Sequence, residues 1–262
     1  MLTLRPRRES VRTRKAKLRT EHILRRTLDL GAAALLLLLA APALLCAALA
    51  ITLTSPGSVF YRQERVGRNG RLFRIWKLRT MTATGPCAPA VTAQDDPRIT
   101  PLGRCLRSWK IDELPQLLNV ICGEMSLVGP RPQVPRFVDC FDPERRRLVL
   151  SVRPGMTGLS ALRFRHEEFL LMGQPDREQC YVTRILPVKL ALEADYVQAR
   201  CLRGDIALLL DTLRLVLLRV VGRAGHSGIP AVMVLPDASR QQTSELQQTS
   251  EPASVNELAR MA

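Results

Sequence analysis

Leu106 to Asn119 reads LRSWKIDELPQLLN, with two adjacent carboxylates, Asp112 and Glu113, ahead of an apolar helical pattern that carries Pro115 in its first turn. Asp112 fits a helix N-cap, and a proline is tolerated in a first turn because its missing N–H would have no intrahelical partner. The helix dipole, with Arg107 and Lys110 about a turn away, is expected to keep Asp112 ionised. An ionised, positioned carboxylate can attack phosphorus and form an aspartyl-linked phosphoryl intermediate. An ordinary capped helix carries the same residue types, so the pair gains meaning only from its company. That company begins with Gly123–Pro132, GEMSLVGPRP, where Pro130 and Pro132 stiffen the backbone around Arg131. A guanidinium held in this way suits bidentate recognition of phosphate, although a turn with a solvent-facing arginine reads the same. A third stretch ends Lys77-Leu78-Arg79-Thr80-Met81, and on a strand Lys77 and Arg79 share a face.

The composition is compatible with anionic substrates. The 262 residues hold 39 Lys plus Arg against 24 Asp plus Glu, a formal net charge of +15. Nucleic acid, anionic lipid or a phosphate-bearing substrate would each satisfy that excess. A 46% hydrophobic share excludes a disordered chain, and 24% charged residues exclude a bundle of many membrane spans. Aromatics make up only 4%, which argues against single-strand nucleic-acid binding by base stacking. The seven cysteines include no CxxC pair, so they read as reduced thiols of a cytosolic compartment rather than a disulfide framework or zinc site. With three histidines, a His-rich cage is not expected, and any metal would be a hard, oxygen-bound ion such as magnesium.

The elements that must position these residues follow a basic arm. Residues 1–26 hold ten bases and two acids, and the 24 residues from Leu30 to Leu53 carry no charge. As one helix that run is about 36 Å long, enough to cross a hydrocarbon core of ~30 Å. Three readings stay open: a cleaved signal peptide with a site at Ala48-Leu49-Ala50, a single-pass helix, and a re-entrant hairpin. Pro42 sits mid-run and kinks a helix. Beyond the run Arg62, Arg65, Arg68, Arg71, Arg74 and Lys77 recur every third residue, so positive charge flanks both ends. A bend at Pro42 that returns the chain to one face accounts for both features. Arg62–Arg74 are read as a solvated face against anionic headgroups.

Further on, Val59–Tyr61 and Leu72–Leu78 read as strands around an Asn69-Gly70 hairpin turn. A Pro- and Ala-rich link covers roughly Thr82–Gln94. Helices are expected over Leu102–Lys110, Asp112–Ile121, Pro143–Leu150, Leu186–Ala199 and Asp205–Val221. The last is so apolar that core and membrane interface both fit, with core the default. From about Gly222 the chain is polar, with an imperfect repeat of Gln-Gln-Thr-Ser-Glu at Gln241 and Gln247, and a low-complexity, disordered tail is expected. The expected architecture is α+β and mostly helical. It comprises a basic arm (1–26), a re-entrant membrane helix broken at Pro42 (27–56), a small catalytic head with a short β-hairpin (57–221) and a tail (222–262).

Taken in order, Arg25-Arg26 with Asp29, the proline-broken run, GSVFYRQERVG, RIWKLRTM, DPRITPLGRCLRSWKIDELPQLLNV, GEMSLVGPRP and VRPGMTG closely resemble the bacterial sugar transferases. These are the monotopic phosphoglycosyl transferases of polysaccharide and glycoconjugate assembly, and the resemblance runs from about Ile23 to Val221. It implies transfer of a sugar 1-phosphate from a nucleotide diphosphate sugar, a UDP-sugar foremost, to polyprenyl phosphate, with release of a nucleoside monophosphate. It also implies a re-entrant helix in the bacterial cytoplasmic (inner) membrane, membrane lipids as partners, and a head on the cytoplasmic face. By resemblance Asp112 is the nucleophile and a magnesium ligand, and Glu113 is its partner, either deprotonating the acceptor or positioning the metal. Arg107 and Arg131 are expected on phosphate or nucleotide, with Lys77 and Arg79 in the matching basic strand. Nucleic acid then drops out as a partner, and a homo-oligomer stays open. The break here is Ala41-Pro42 rather than the family's Ser-Pro. Leu159–Arg165 also departs from the common pattern, leading into Phe164-Arg165-His166-Glu167-Glu168, whose two acids suit a helix start or contacts to sugar hydroxyls. Two rivals remain: an exported hydrolase behind a signal peptide, and a basic surface-binding protein without catalysis.

Overall fold

The structure is a computed structural model that describes residues 11–82, 91–93 and 95–220. Expectations for the start of the arm, for most of the Pro/Ala-rich link and for the 222–262 tail lie outside the described residues. The chain opens with α1 (Val11–Thr54), an uninterrupted helix of 44 residues. Pro42 lies inside it with helical backbone on both sides, so the expected break is no gap in the helix, and the described part of the arm forms one element with the apolar run. Thr20–Thr54 is long and apolar enough to cross a membrane. Leu38, Leu39 and Leu45 of its middle are 71%, 68% and 71% exposed, a surface that water disfavours.

Two stretches of α1 nevertheless pack on the head. In its middle, the buried Asp29 accepts the Ser126 hydroxyl at 2.6 Å and the Leu127 N–H at 3.0 Å. Arg26 donates to the Val120 and Ile121 carbonyls, and Arg25 pairs with Asp205 at 2.7 Å. These two arginines of the basic arm thus serve the head. Toward its end, Ala47 and Ile51 join a buried cluster with Leu78 and Leu106.

The hairpin is β1 (Phe60–Val66) against β2 (Leu72–Leu78), antiparallel with Phe60 opposite Leu78 and Val66 opposite Leu72. Asn69 and Gly70 both take positive φ, 58° and 77°, as an Asn-Gly turn requires. β1 is longer than expected, and its bases do not form one solvated face. Residues three apart on a strand point to opposite sides. Arg65 accordingly turns inward, donating to the Pro132 carbonyl and the Gln63 side chain, and burial lowers its pKa to about 10. Arg62 lies 3.4 Å over the Trp76 ring, and Arg68 donates to the Ser151 carbonyl.

Next come α2 (Pro101–Ser108), a 3-10 turn (Ile111–Gln116) and α3 (Leu117–Cys122), so the single helix expected over Asp112–Ile121 is divided. β3 (Ser126–Val128) and β4 (Gly155–Thr157) form a short parallel pair that periodicity gave no sign of. Between them lie α4 (Pro135–Val138) and α5 (Pro143–Val149). After β4 follow α6 (Leu159–Arg163), α7 (Glu167–Leu170), α8 (Arg177–Cys180), α9 (Leu186–Gln198) and α10 (Leu202–Val220). A core of Phe137, Phe141, Phe164, Ile185 and Leu190 holds the later helices. A second, of Phe73, Ile75, Leu117, Val120 and Met125, backs the 3-10 turn and takes in Ala33 of α1. The core default for the last helix holds on one side only: Leu208 and Leu209 of α10 pack against the second core, whereas Leu210, Leu213 and Leu217 are 60%, 51% and 52% exposed. The fold is mostly helical with a small sheet component.

Candidate active site

Lys110 adopts the left-handed conformation (φ 58°, ψ 19°), which turns the chain sharply between α2 and the 3-10 turn. Asp112 therefore sits within the first residues of that turn rather than at a helix N-cap, and it caps nothing. Its side chain is buried, with Oδ1 lacking any hydrogen-bond partner among the described residues. Burial, and next the charge of Glu113, push its pKa up, against the pull of Lys77, Lys110 and Arg107. The expected helix N-cap, and with it the helix dipole as the main influence on the Asp112 charge, is thus corrected. Dehydration and a neighbouring anion dominate, leaving a carboxylate whose charge the site stabilises poorly.

Glu113 is in the opposite state. Its Oε1 accepts Lys77 Nζ at 2.9 Å and Arg131 Nη2 at 2.6 Å, and Arg131 Nη1 reaches Oε2 at 3.4 Å. Burial alone would raise its pKa, but Arg131 and Lys77 outweigh that and hold it well below the usual carboxylate range. Lys77 arrives from β2, and its own pKa is lowered by burial in spite of Glu113. Arg131 is raised by Glu113. The adjacent acids thus divide: one is clamped by two cations, and the other is bare.

Arg131 is placed by backbone contacts. A Cβ on Gly155 would meet the Gly129 nitrogen at 2.1 Å, and one on Gly129 would meet the Arg153 carbonyl at 2.6 Å. Two loops therefore touch main chain to main chain, and the Gly155 N–H reaches the Pro130 carbonyl at 2.8 Å. Glu193 of α9, 3% exposed, accepts the Arg131 N–H at 3.0 Å and the Ser160 hydroxyl. Burial raises the Glu193 pKa.

The structure thus brings Asp112, Glu113, Lys77 and Arg131 together. Arg107 acts on Asp112 through its field, while its guanidinium donates to Glu168 at 2.9 Å. Arg79 is bonded elsewhere, to the Ser55 and Pro56 carbonyls where α1 ends, so it does not share Lys77's destination. Gly57 there has φ 110°, and a Cβ on it would meet the Arg79 guanidinium at 2.4 Å. Glu167 and Glu168 stand in the first turn of α7, and Glu167 meets Lys189 at 2.6 Å. Sequence reasoning missed Glu193, Ser160, Lys189 and Gln116. The last is 1% exposed with no partner for its side-chain nitrogen among the described residues. Its place in the same short turn as Asp112 was the available signal.

No group of three or more His, Cys, Asp or Glu side chains able to hold a metal occurs among the described residues. Magnesium commonly takes one or two carboxylates and completes its shell with substrate phosphates and water. The unpartnered Oδ1 of Asp112 fits one such ligand, whereas Glu113 is already taken by Lys77 and Arg131.

A family model described as bacterial sugar transferase matches residues 20–219. The UDP-glucose:undecaprenyl-phosphate glucose-1-phosphate transferase of Caulobacter vibrioides is 42% identical over 194 residues, covering 72% of this chain and 68% of that protein. The exopolysaccharide production protein ExoY of Sinorhizobium fredii is 34% identical over 207 residues, or 73% of this chain and 84% of that one. The protein of Escherichia coli with the same name as the Caulobacter relative is 42% identical over 139 residues, 52% of this chain and 30% of that longer protein. With the match spanning most of its length, the chain belongs to the bacterial sugar transferase family.

Proposed function

We propose that the chain is a membrane-associated phosphoglycosyl transferase. It moves a sugar 1-phosphate from a nucleotide diphosphate sugar, a UDP-sugar foremost, to undecaprenyl phosphate or a similar polyprenyl phosphate. This would be the first step of exopolysaccharide or glycoconjugate assembly. One observation carries the proposal: a buried carboxylate, Asp112, whose Oδ1 has no partner among the described residues, stands beside an acid that fixes two cations at the same place. An anion held so poorly is a nucleophile kept from water, and fixed cations lower the cost of bringing phosphate to it.

In the first half-reaction an Asp112 oxygen attacks the sugar-bearing phosphorus of the donor. The bond from that phosphorus to the oxygen of the nucleoside monophosphate breaks, and the monophosphate leaves with the electron pair. In the second, a phosphate oxygen of the polyprenyl acceptor attacks the same phosphorus, the bond to Asp112 breaks, and the carboxylate is restored. Lys77 and Arg131 hold the phosphates, and Glu113 holds those two cations in place; its depressed pKa suits this work better than proton abstraction. Magnesium, when bound through Asp112, supplies charge neutralisation of the diphosphate.

The membrane reading is a re-entrant α1 with its head on the cytoplasmic face, where nucleotide sugars occur. Contacts at the two ends of the apolar run support it. Asp29 and Ile51 both lie against the one head although a straight helix would separate them by about 33 Å, roughly the thickness of the hydrocarbon core. A helix normal to the bilayer would put them on opposite sides. The same contacts weigh against a leader removed near Ala50, since Ala47 is part of the core.

The test is incubation of the full chain in detergent with a panel of UDP-sugars, polyprenyl phosphate and magnesium, following nucleotide release. Release dependent on Asp112 is expected. A folded preparation that releases no nucleotide from any donor overturns the assignment.

A further inference from the structure

Two kinds of ion pair surround Asp112. Glu113 takes three hydrogen bonds, one from Lys77 and two from Arg131, at a largely buried place, and its partners come from β2 and the stiff Pro130–Pro132 segment. The pair of Arg107 with Glu168 differs. It joins α2 to α7 through one contact of 2.9 Å, and the Glu168 side chain is 32% exposed. Apart from Glu168, the side chain of Arg107 has only the Met81 sulfur, at 3.5 Å, as a hydrogen-bond partner among the described residues.

α7 is held by its other acid. Glu167 takes Lys189 at 2.6 Å, and that lysine is 3% exposed and lies near the rings of Phe164 and Tyr181, at 5.9 and 5.4 Å. Successive acids on this one turn therefore have separate tasks: Glu167 fastens the turn inward, and Glu168 reaches Arg107 of α2, whose charge acts on Asp112 through its field. A carboxylate presents two oxygens to a guanidinium much as a phosphate does, but with less charge.

We propose that Glu168 is a placeholder on Arg107, holding the guanidinium until a donor diphosphate displaces it, and that it thereby sets how strong an anion the site accepts. This inference rests on the transferase reading above. Glu168 can leave because it is held by one contact on a partly exposed arginine and is itself a third exposed, so its charge is rehydrated as it moves out. Glu113 cannot, because departure would strand two buried cations. Arg107 freed of Glu168 would stand ready for a phosphate next to the Asp112 carboxylate.

The experiment is a double-mutant cycle on the full chain, reading donor KM from nucleotide release and, independently of turnover, the dissociation constant of UDP by calorimetry. Glu168→Gln should lower both constants about threefold, the value expected for loss of a partly exposed competing ion pair. Arg107→Gln should raise them, and adding Glu168→Gln to Arg107→Gln should change them little. A rise in either constant in Glu168→Gln overturns the proposal, because the acid would then contact the donor directly. An equal fall in both backgrounds also overturns it, because Glu168 would then act only as a distant negative charge. If the wild type releases no nucleotide from any donor while Glu168→Gln still tightens UDP, the transferase reading fails and the exchange on Arg107 stands.

Discussion

Asp112→Asn and Glu113→Gln, isosteric changes at neighbouring acids, should have opposite effects on stability. Glu113 accepts from Lys77 at 2.9 Å and from Arg131 at 2.6 Å, with side-chain exposures of only 16%, 20% and 27% for the acid, the lysine and the arginine. Breaking a buried pair by removing one partner costs roughly 3–5 kcal/mol, and residual water at these exposures reduces that to about 2–4. For a head of this size each kcal/mol moves Tm by about 2–4 °C, so Glu113→Gln should lower Tm by about 5–15 °C. Asp112 Oδ1 has no hydrogen-bond partner among the described residues to lose, and the fold already disfavours its charge. Asp112→Asn should therefore leave Tm unchanged or raise it while abolishing nucleotide release. The assay is thermal unfolding in detergent beside nucleotide release on the same preparations. The cluster supplies its own control, because the folded-state pKa of Glu113 is depressed. Its stabilisation is present above the ordinary carboxylate value of 4.5 and is lost as pH falls through the folded value. The Tm gap between wild type and Glu113→Gln should narrow on acidification. A Tm for Asp112→Asn as low as that of Glu113→Gln, or no loss in Glu113→Gln, refutes the division of labour between the two acids.

Other predictions concern rate and packing. Asp112 must be ionised to attack or to hold magnesium, and burial raises its pKa in the metal-free protein, so nucleotide release should fall on acidification, with the acid limb moving to lower pH as magnesium is raised. Glu113→Gln removes a negative neighbour and should move that acid limb to lower pH in the pH–rate profile; an unmoved limb contradicts the coupling. Asp29→Ala strands the Ser126 hydroxyl and the buried Leu127 N–H. About 1–3 kcal/mol of stability should be lost, with faster proteolysis between α1 and the head, and equal Tm and cleavage rates would contradict that anchor. Gln116→Met removes a buried amide nitrogen without a partner among the described residues, so Tm should hold or rise, and a fall would give that amide a role in the fold.

The sequence was informative where the physics is local. Asn69-Gly70 specified its turn, Leu72–Leu78 its strand, and Leu186–Ala199 its helix, each through neighbours a few residues away. Asp112 and Glu113 stood out by type, and Arg131 by the prolines around it. Their opposite electrostatic states did not, because Lys77 reaches Glu113 across 36 residues and Arg131 across 18. Glu193 beneath Arg131 and Glu168 on Arg107 bridge 62 and 61 residues, with no local pattern to announce either. Arg65 was misread for a different reason. A basic residue at every third position suggests one charged face, but strand geometry alternates and sends this one inward. The three-residue strands β3 and β4 are too short for any periodicity, and they pair through glycine backbones rather than side chains. For α10, composition alone could not say whether protein covers its leucines.

The central claim is that Asp112 takes the phosphosugar covalently. Incubating the full chain with a productive UDP-sugar and magnesium but no polyprenyl phosphate, then measuring intact and peptide mass, tests it directly. The account predicts an added sugar phosphate on the peptide carrying Asp112, absent in Asp112→Asn and discharged when polyprenyl phosphate is supplied. An enzyme that turns over with both substrates yet shows no adduct on that peptide, or carries it on another residue, contradicts the account.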